Sequence, residues 1–97
     1  MANRVELTGT ILETSGLRFT PAGMPTVQIR LAHGSEQEEA SRVRQVVCEV
    51  EAIAFGEIAK ALSHSPVGTQ VNMTGFLDRK SPRSSLLTLH VTDYELN

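Results

Sequence analysis

The chain is poor in several residue types, and each shortage excludes a class of protein. Its 97 residues include a single cysteine, so no intrachain disulfide can form and a reducing compartment is expected. No apolar run approaches the length of a membrane span, and no apolar segment of a signal peptide follows Met1. Lysine and arginine number nine against eleven acidic residues. We therefore expect a cytoplasmic protein without a membrane segment, in which any nucleic-acid site depends on cations gathered on one surface.

Motifs of catalysis and metal binding are also missing. The three histidines are scattered, and no spacing of His, Cys and carboxylates resembles a zinc site. The chain has no Walker-type glycine loop, no nucleophile elbow and no H-E-x-x-H sequence. Cys48 lies in the middle of a predicted strand and is most simply a small core residue. The sequence therefore gives no positive support for an enzyme or for a bound cofactor.

What is present is an alternation of apolar and polar residues, which is typical of half-buried strands. Gly9 lies on the apolar face of the first strand, where a glycine often marks a close backbone approach such as barrel closure requires. Near the end of the chain, Thr92-Asp93 is expected to host a bulge, because Tyr94 falls out of phase with the preceding apolar residues. Five strands are predicted, over residues 4–13, 25–33, 41–55, 70–78 and 86–96.

The connections complete the predicted architecture. Residues 14–24 are expected to form a loop or ribbon with a turn at its Pro-Ala-Gly tip, residues 34–40 an acidic solvated connection, and residues 56–65 a short helix. The long strand over 41–55 is expected to be central and bent, since neither of its faces stays apolar. We predict one all-β domain over residues 1–97, a five-stranded OB-fold with a short helix between strands three and four. A small sandwich or another barrel is the alternative.

Basic residues suggest where such a barrel would bind. Strands two and three of an OB-fold form the binding face, flanked by the loops after strands one and four. Arginine can hold a phosphate with its planar fork and stack on a base with its face. The alternative for any single arginine is that it only keeps the sheet soluble. Seven of the nine basic residues fall on this expected surface: Arg18, Arg30, Arg42, Arg44, Arg79, Lys80 and Arg83.

Several segments resemble the PriB family, the primosomal replication proteins N. They are Asn3-Arg4, Leu7-Thr8-Gly9-Thr10, Pro21-Ala22-Gly23-Met24-Pro25, Gln37-Glu38-Glu39-Ala40, Arg44-Gln45 and Gly75-Phe76-Leu77. The resemblance covers essentially the whole chain. It implies a homodimeric OB-fold protein that binds single-stranded DNA without sequence preference. It also implies a place in the restart primosome, with the PriA helicase and DnaT as partners.

The family's binding residues are only partly matched. The resemblance carries DNA contacts to Arg18, to Arg44 and to the basic loop containing Arg79. It places a tryptophan where this chain has Val47 and a phenylalanine where it has Arg42, so the main stacking platform is missing. Phe19 is the candidate aromatic contact, whereas Phe55 and Phe76 are at least as compatible with the core.

Two functional hypotheses follow from this comparison. The first is a non-enzymatic single-stranded-DNA-binding protein that uses the seven basic residues, Phe19 and the Val47 position. The second is a protein-interaction adaptor on an OB scaffold, with the helicase as main partner and weak DNA binding. A small-molecule or oligosaccharide binder has no support beyond the fold.

Overall fold

Six strands and one short helix make up the computed structural model, which describes residues 1–97. Both ends of the helix connect to strands, and the longest strands are the third and the fourth. In chain order the elements are β1 (Val5–Thr14), β2 (Arg18–Phe19), β3 (Pro25–Glu39), β4 (Arg42–Phe55), α1 (Glu57–Leu62), β5 (Gln70–Arg79) and β6 (Leu87–Leu96).

Five of the strands close into a barrel. They pair in the order β1-β5-β6-β4-β3, and β3 also pairs with β1, which closes the barrel. The short strand β2 pairs with the first two residues of β3. Gly9 permits this closure, because a Cβ at that position would collide with the carbonyl oxygen of Ala32 on β3. The predicted five-stranded OB-fold is confirmed, and its helix lies between β4 and β5 in the chain.

The barrel interior is filled by alternate residues of every strand. On β3 the inward residues Val27, Ile29 and Leu31 are buried, so Gln28 and Arg30 point outward. The helix packs against β3 and β4 and contributes Ala59 and Leu62 to the core. With only six residues, this helix is too short to cross a lipid bilayer.

A long two-stranded arm projects from the barrel. The acidic residues 34–40 are not the predicted solvated connection, since β3 continues to Glu39 and turns into β4 through Ala40 and Ser41. Cross-strand contacts hold the arm together, including a hydrogen bond of 2.7 Å from Gln45 Nε2 to Glu36 Oε1. We call residues 34–47 the hairpin arm. Cys48, at its base, is exposed and is therefore not the core residue that the sequence suggested.

The last two strands contain the bulge that the sequence predicted. Thr74 pairs with Asp93 and the next residue, Gly75, pairs with Val91, so Thr92 is the extra residue on β6. Gly75 lies against β6, and a Cβ there would collide with the carbonyl oxygen of His90. The bulge and the glycine together fix which side chains of β5 and β6 reach the outer surface.

Candidate nucleic-acid interface

A cleft opens on the outer face of the barrel, between β3 and β4 on one side and the turn of residues 80–86 on the other. Its volume is about 530 Å³. Arg30 and Glu51, which are register partners on β3 and β4, lie on its floor. Arg79 and Lys80 line it from the end of β5. The OB-fold therefore brings basic residues from two distant chain segments to one concave site.

The turn above the cleft is held in place by three contacts. The backbone N–H of Lys80 donates to the carbonyl oxygen of Leu86 at 2.9 Å, which closes the turn. Arg79 Nη1 donates to the carbonyl oxygen of Pro82 at 2.9 Å. Lys80 Nζ reaches across to Glu51 Oε2 on β4 at 3.0 Å. This last contact ties the turn to the floor of the cleft.

Glu51 is the electrostatic centre of the site. Lys80 donates a hydrogen bond to the carboxylate of Glu51, and its positive charge further stabilises the ionised form. Together with the charge of Arg30, these effects lower the pKa of Glu51 below the ordinary value of 4.5. Arg30 Nη2 lies 3.1 Å from Glu51 Oε1, and the same guanidinium lies 3.7 Å from Glu49 and 3.8 Å from Glu13. The Glu51 carboxylate therefore lies between the two cations and partly neutralises both.

Other cations around the cleft have no carboxylate partner within 4.0 Å. Arg79 is one of them. Its guanidinium uses one N–H group in the bond to Pro82, and its other N–H groups can donate hydrogen bonds to a ligand. Arg83 follows Pro82 of the cleft lining, Arg18 lies on β2 opposite Thr26, and both are exposed. These unpaired guanidinium groups can bind phosphate oxygens without first breaking an ion pair.

One residue of the cleft lining carries a buried hydroxyl. Thr88, on β6, is only 7% exposed, and its Oγ1 has no hydrogen-bond partner. Buried polar groups in proteins are nearly always paired, and an unpaired one costs about 1–3 kcal/mol. Thr88 lines the cleft. Its hydroxyl oxygen is shielded from solvent, so this group lies beneath the surface of the cleft.

The structure separates the predicted binding residues into two groups. Arg30, Arg79 and Lys80 line the cleft, Arg83 belongs to the turn beside it, and Arg18 and Phe19 lie on β2 at the edge of β3. The others, Arg42, Arg44 and Val47, belong to the hairpin arm.

The arm and the cleft are far apart along the sheet. Arg44 pairs with Gln37, seven residues beyond Arg30 on β3, which corresponds to roughly 23 Å along the strand. Arg42 and Arg44 also share the strand face of Val50, opposite to the face that carries Glu51. The predicted single basic surface is thus two surfaces.

Comparison with known proteins identifies the family. Residues 3–93 match a family model described as "Another single-strand binding protein family". The chain is 40% identical to the replication restart protein PriB of Nitrosomonas europaea over 91 residues, which cover 94% of this chain and 84% of that protein. The chain belongs to the PriB family.

Solved structures agree with this assignment. PriB from Ralstonia solanacearum is 34% identical, with a TM-score of 0.91 and coverage of 100% of this chain and 99% of that one. The wild-type single-stranded DNA binding protein from Thermus aquaticus has a TM-score of 0.80 at 19% identity, covering 99% of this chain and 50% of that one. The second likeness establishes a shared OB-fold only.

Within this PriB-family chain, sequence reasoning missed the acidic partners of the cleft. Glu49 and Glu51 lie on the outer face of β4, within the predicted binding surface, and Glu13 approaches from β1. The alternation of side chains on β4 places Glu49 and Glu51 on one face, but only the register with β3 shows that Arg30 lies opposite them. The basic surface is consequently less positive than a count of its arginines suggests.

Sequence reasoning also underestimated the aromatic residues. Phe55 is 43% exposed and Phe76 is 37% exposed, so neither is a core residue. Phe76 is out of phase with Val71 and Met73, and this alternation was the signal that could have placed it outside. Val47 is 87% exposed on the arm and offers no ring for stacking.

Proposed function

We propose that this PriB-family protein binds single-stranded DNA, without catalysing a reaction, in replication restart. The strand would cross the outer face of β3 and β4 and pass through the cleft below the turn of residues 80–86. The observation that carries the proposal is the convergence of Arg30, Arg79 and Lys80 on one cleft, where Arg30 and Lys80 already hold an anionic group, the Glu51 carboxylate. Phosphate contacts of this kind are independent of sequence.

The relatives' name, replication restart protein, supports the biological setting. We infer that the chain acts as one OB-fold domain in the cytoplasm and pairs with a second copy as a homodimer. We also propose that it works with the PriA helicase and with DnaT at stalled replication forks. The family membership of the chain supports these partners.

The binding proposal can be tested by fluorescence anisotropy of a labelled oligo-dT at several salt concentrations. For single strands, log K falls by about 0.7 per unit of log salt for each phosphate neutralised. We expect Arg79→Glu to weaken binding and to flatten the salt dependence. Lys60→Glu, a matched charge reversal on the helix, should leave the affinity and its salt dependence unchanged. Absence of binding by the unaltered protein even at low salt would contradict the proposal.

A second candidate function is that of an adaptor whose main partner is the helicase. Two observations favour it: Val47 offers no stacking ring, and Arg30 and Lys80 are already paired with carboxylates. Capture of PriA by the immobilised protein, undiminished in Arg79→Glu, would support this function. Loss of PriA capture together with loss of DNA binding would show that both partners use the cleft.

A further inference from the structure

Three rings form a continuous stack on the outer surface of the barrel. The rings of Phe76 and His90 are nearly parallel, with centroids 4.9 Å apart and an interplanar angle of 9°. The ring of Phe55 lies on the other side of His90, with centroids 6.2 Å apart and an angle of 26°. Both phenylalanines are exposed, so the stack presents aromatic surface at each of its ends.

The barrel architecture builds this stack from three different strands. Phe55 is on β4, His90 on β6 and Phe76 on β5, which are neighbours in the sheet. Gly75 lets β5 approach β6 closely at His90, and Phe76 is the direct register partner of His90. The position of the stack is therefore set by the pairing of the backbone strands.

Unpaired arginines lie at both ends of the same row. On one side Phe55 pairs with Thr26, and Thr26 pairs with Arg18 on β2. On the other side Arg4 and Phe76 line one shallow depression. Neither Arg4 nor Arg18 has a carboxylate partner within 4.0 Å.

Asn3 fixes the position of Arg4. Its side chain exchanges two hydrogen bonds with the backbone of Leu77 on β5, one of 2.8 Å and one of 3.0 Å. This pairing holds the start of the chain beside the strand that carries Phe76. Arg4 therefore stays beside the depression that Phe76 also lines. Five strand spacings of about 4.8 Å separate β2 from β1 across the outer surface, a span of roughly 24 Å.

We propose that this row, Arg18–Thr26–Phe55–His90–Phe76–Arg4, is a second DNA-contact track that carries the strand from the cleft across β6 and β5. Bases stack on the exposed phenylalanines, and the terminal arginines hold phosphates. Stacking on aromatic side chains tolerates any sequence because every base has a π-face. The track supplies the stacking surface that Val47 lacks.

The row is continuous with the cleft, which favours DNA over another occupant. Phe55 and His90 line the cleft together with Arg79 and Lys80, so a strand leaving the cleft meets the stack directly. The row also offers both cations and aromatic rings, and these are the groups that bind the phosphates and the bases of a single strand. A second copy of this chain would bring arginines against arginines if it docked with the same row.

This inference rests on the proposed function, so its test must separate the two. The experiment measures oligo-dT anisotropy over a salt series for Phe55→Leu, Phe76→Leu and Arg4→Glu, with Val67→Leu as an exposed apolar control. Leucine keeps the apolar bulk of phenylalanine but removes the ring. We expect each Phe→Leu variant to bind roughly 5- to 100-fold more weakly with an unchanged salt slope. Arg4→Glu should reduce the salt slope by at least about 0.7.

Two further readouts keep the result unambiguous. Circular dichroism melts show whether Phe76→Leu remains folded, and Arg4→Glu tests the same track at an exposed position outside the core. Light scattering shows whether any variant changes the oligomeric state, a result that would reassign the row to contacts between copies and overturn the proposal. Binding that depends on Arg79 but is indifferent to Phe55, Phe76 and Arg4 would also overturn the track while leaving the cleft intact. Absence of binding by the unaltered protein would overturn both.

Discussion

Glu51 illustrates how a single residue can set the affinity of an anion site. Its carboxylate holds Lys80 and Arg30 in place, which pre-organises the cations, but it also competes with an incoming phosphate. Both partners are partly exposed, so each ion pair contributes modestly. The register of β3 with β4 creates this arrangement, and a linear reading of charges could not have shown it.

Replacing this carboxylate should therefore strengthen DNA binding. We expect Glu51→Gln to bind oligo-dT roughly two- to fivefold more tightly at low salt, with a steeper salt dependence, because Lys80 and Arg30 become free for phosphate. Anisotropy titrations measure this effect, with Glu95→Gln as the control for loss of one negative charge. Weaker binding by Glu51→Gln would show that positioning of the turn outweighs competition.

The same residue makes stability depend on pH. Because the pKa of Glu51 is lower in the folded protein than its ordinary value of 4.5, the ionised form stabilises the fold above that pH. This contribution is lost as the pH falls through the depressed pKa. Urea denaturation of the unaltered protein and of Glu51→Gln should show a stability difference that shrinks below pH 4.5. A difference that stays constant down to pH 3 would contradict the assignment.

Two glycines are required by close backbone approaches. We expect Gly9→Ala and Gly75→Ala each to lower the free energy of unfolding by about 1–3 kcal/mol, because each new methyl group would overlap a carbonyl oxygen of a neighbouring strand. Gly34→Ala is the matched control, since its Cβ would meet only the Val46 carbonyl oxygen, at 3.8 Å. Thermal melts followed by circular dichroism measure all three. Equal melting temperatures would contradict the argument.

At the scale of elements, the strands with one apolar face were predictable and the hairpin arm was not. β1 and β5 alternate cleanly because one face fills the barrel. Residues 34–40 are polar on both faces, so nothing local distinguishes them from a loop. The strand conformation of residues 34–39 comes from pairing with residues 42–47, and the contact between Arg44 and Glu39 adds to it.

The distance between the arm and the cleft predicts a dependence on DNA length. An Arg42→Ala, Arg44→Ala double variant should bind an oligo-dT of about three nucleotides as the unaltered protein does, since so short a strand cannot span the roughly 23 Å between the cleft and the arm. It should bind an oligomer of about 20 nucleotides more weakly, because only the longer strand reaches both surfaces. Anisotropy with the two oligomers measures this difference. Equal losses for both lengths would place the arm at the primary site.

For the whole molecule, net charge is a poor guide to its partner. The chain carries a net charge of −2, yet its outer face gathers Arg30, Arg79 and Lys80 beside a stack of exposed rings. The sequence predicted the barrel, the bulge at Thr92 and the basic loop, because these follow from local alternation and composition. It could not predict which cations are neutralised, or that Phe55 and His90 meet, because both depend on the pairing of strands distant in the chain.

The central claim is that DNA lies across the outer face of β3 and β4 and through the cleft. The most direct measurement is a titration of the isotopically labelled protein with oligo-dT, followed by amide chemical shifts in NMR spectra. The account predicts the largest shifts at Arg30, Glu51, Thr88 and His90 and in the turn of residues 80–86. Shifts confined to the hairpin arm, or to the barrel face that carries α1, would contradict it.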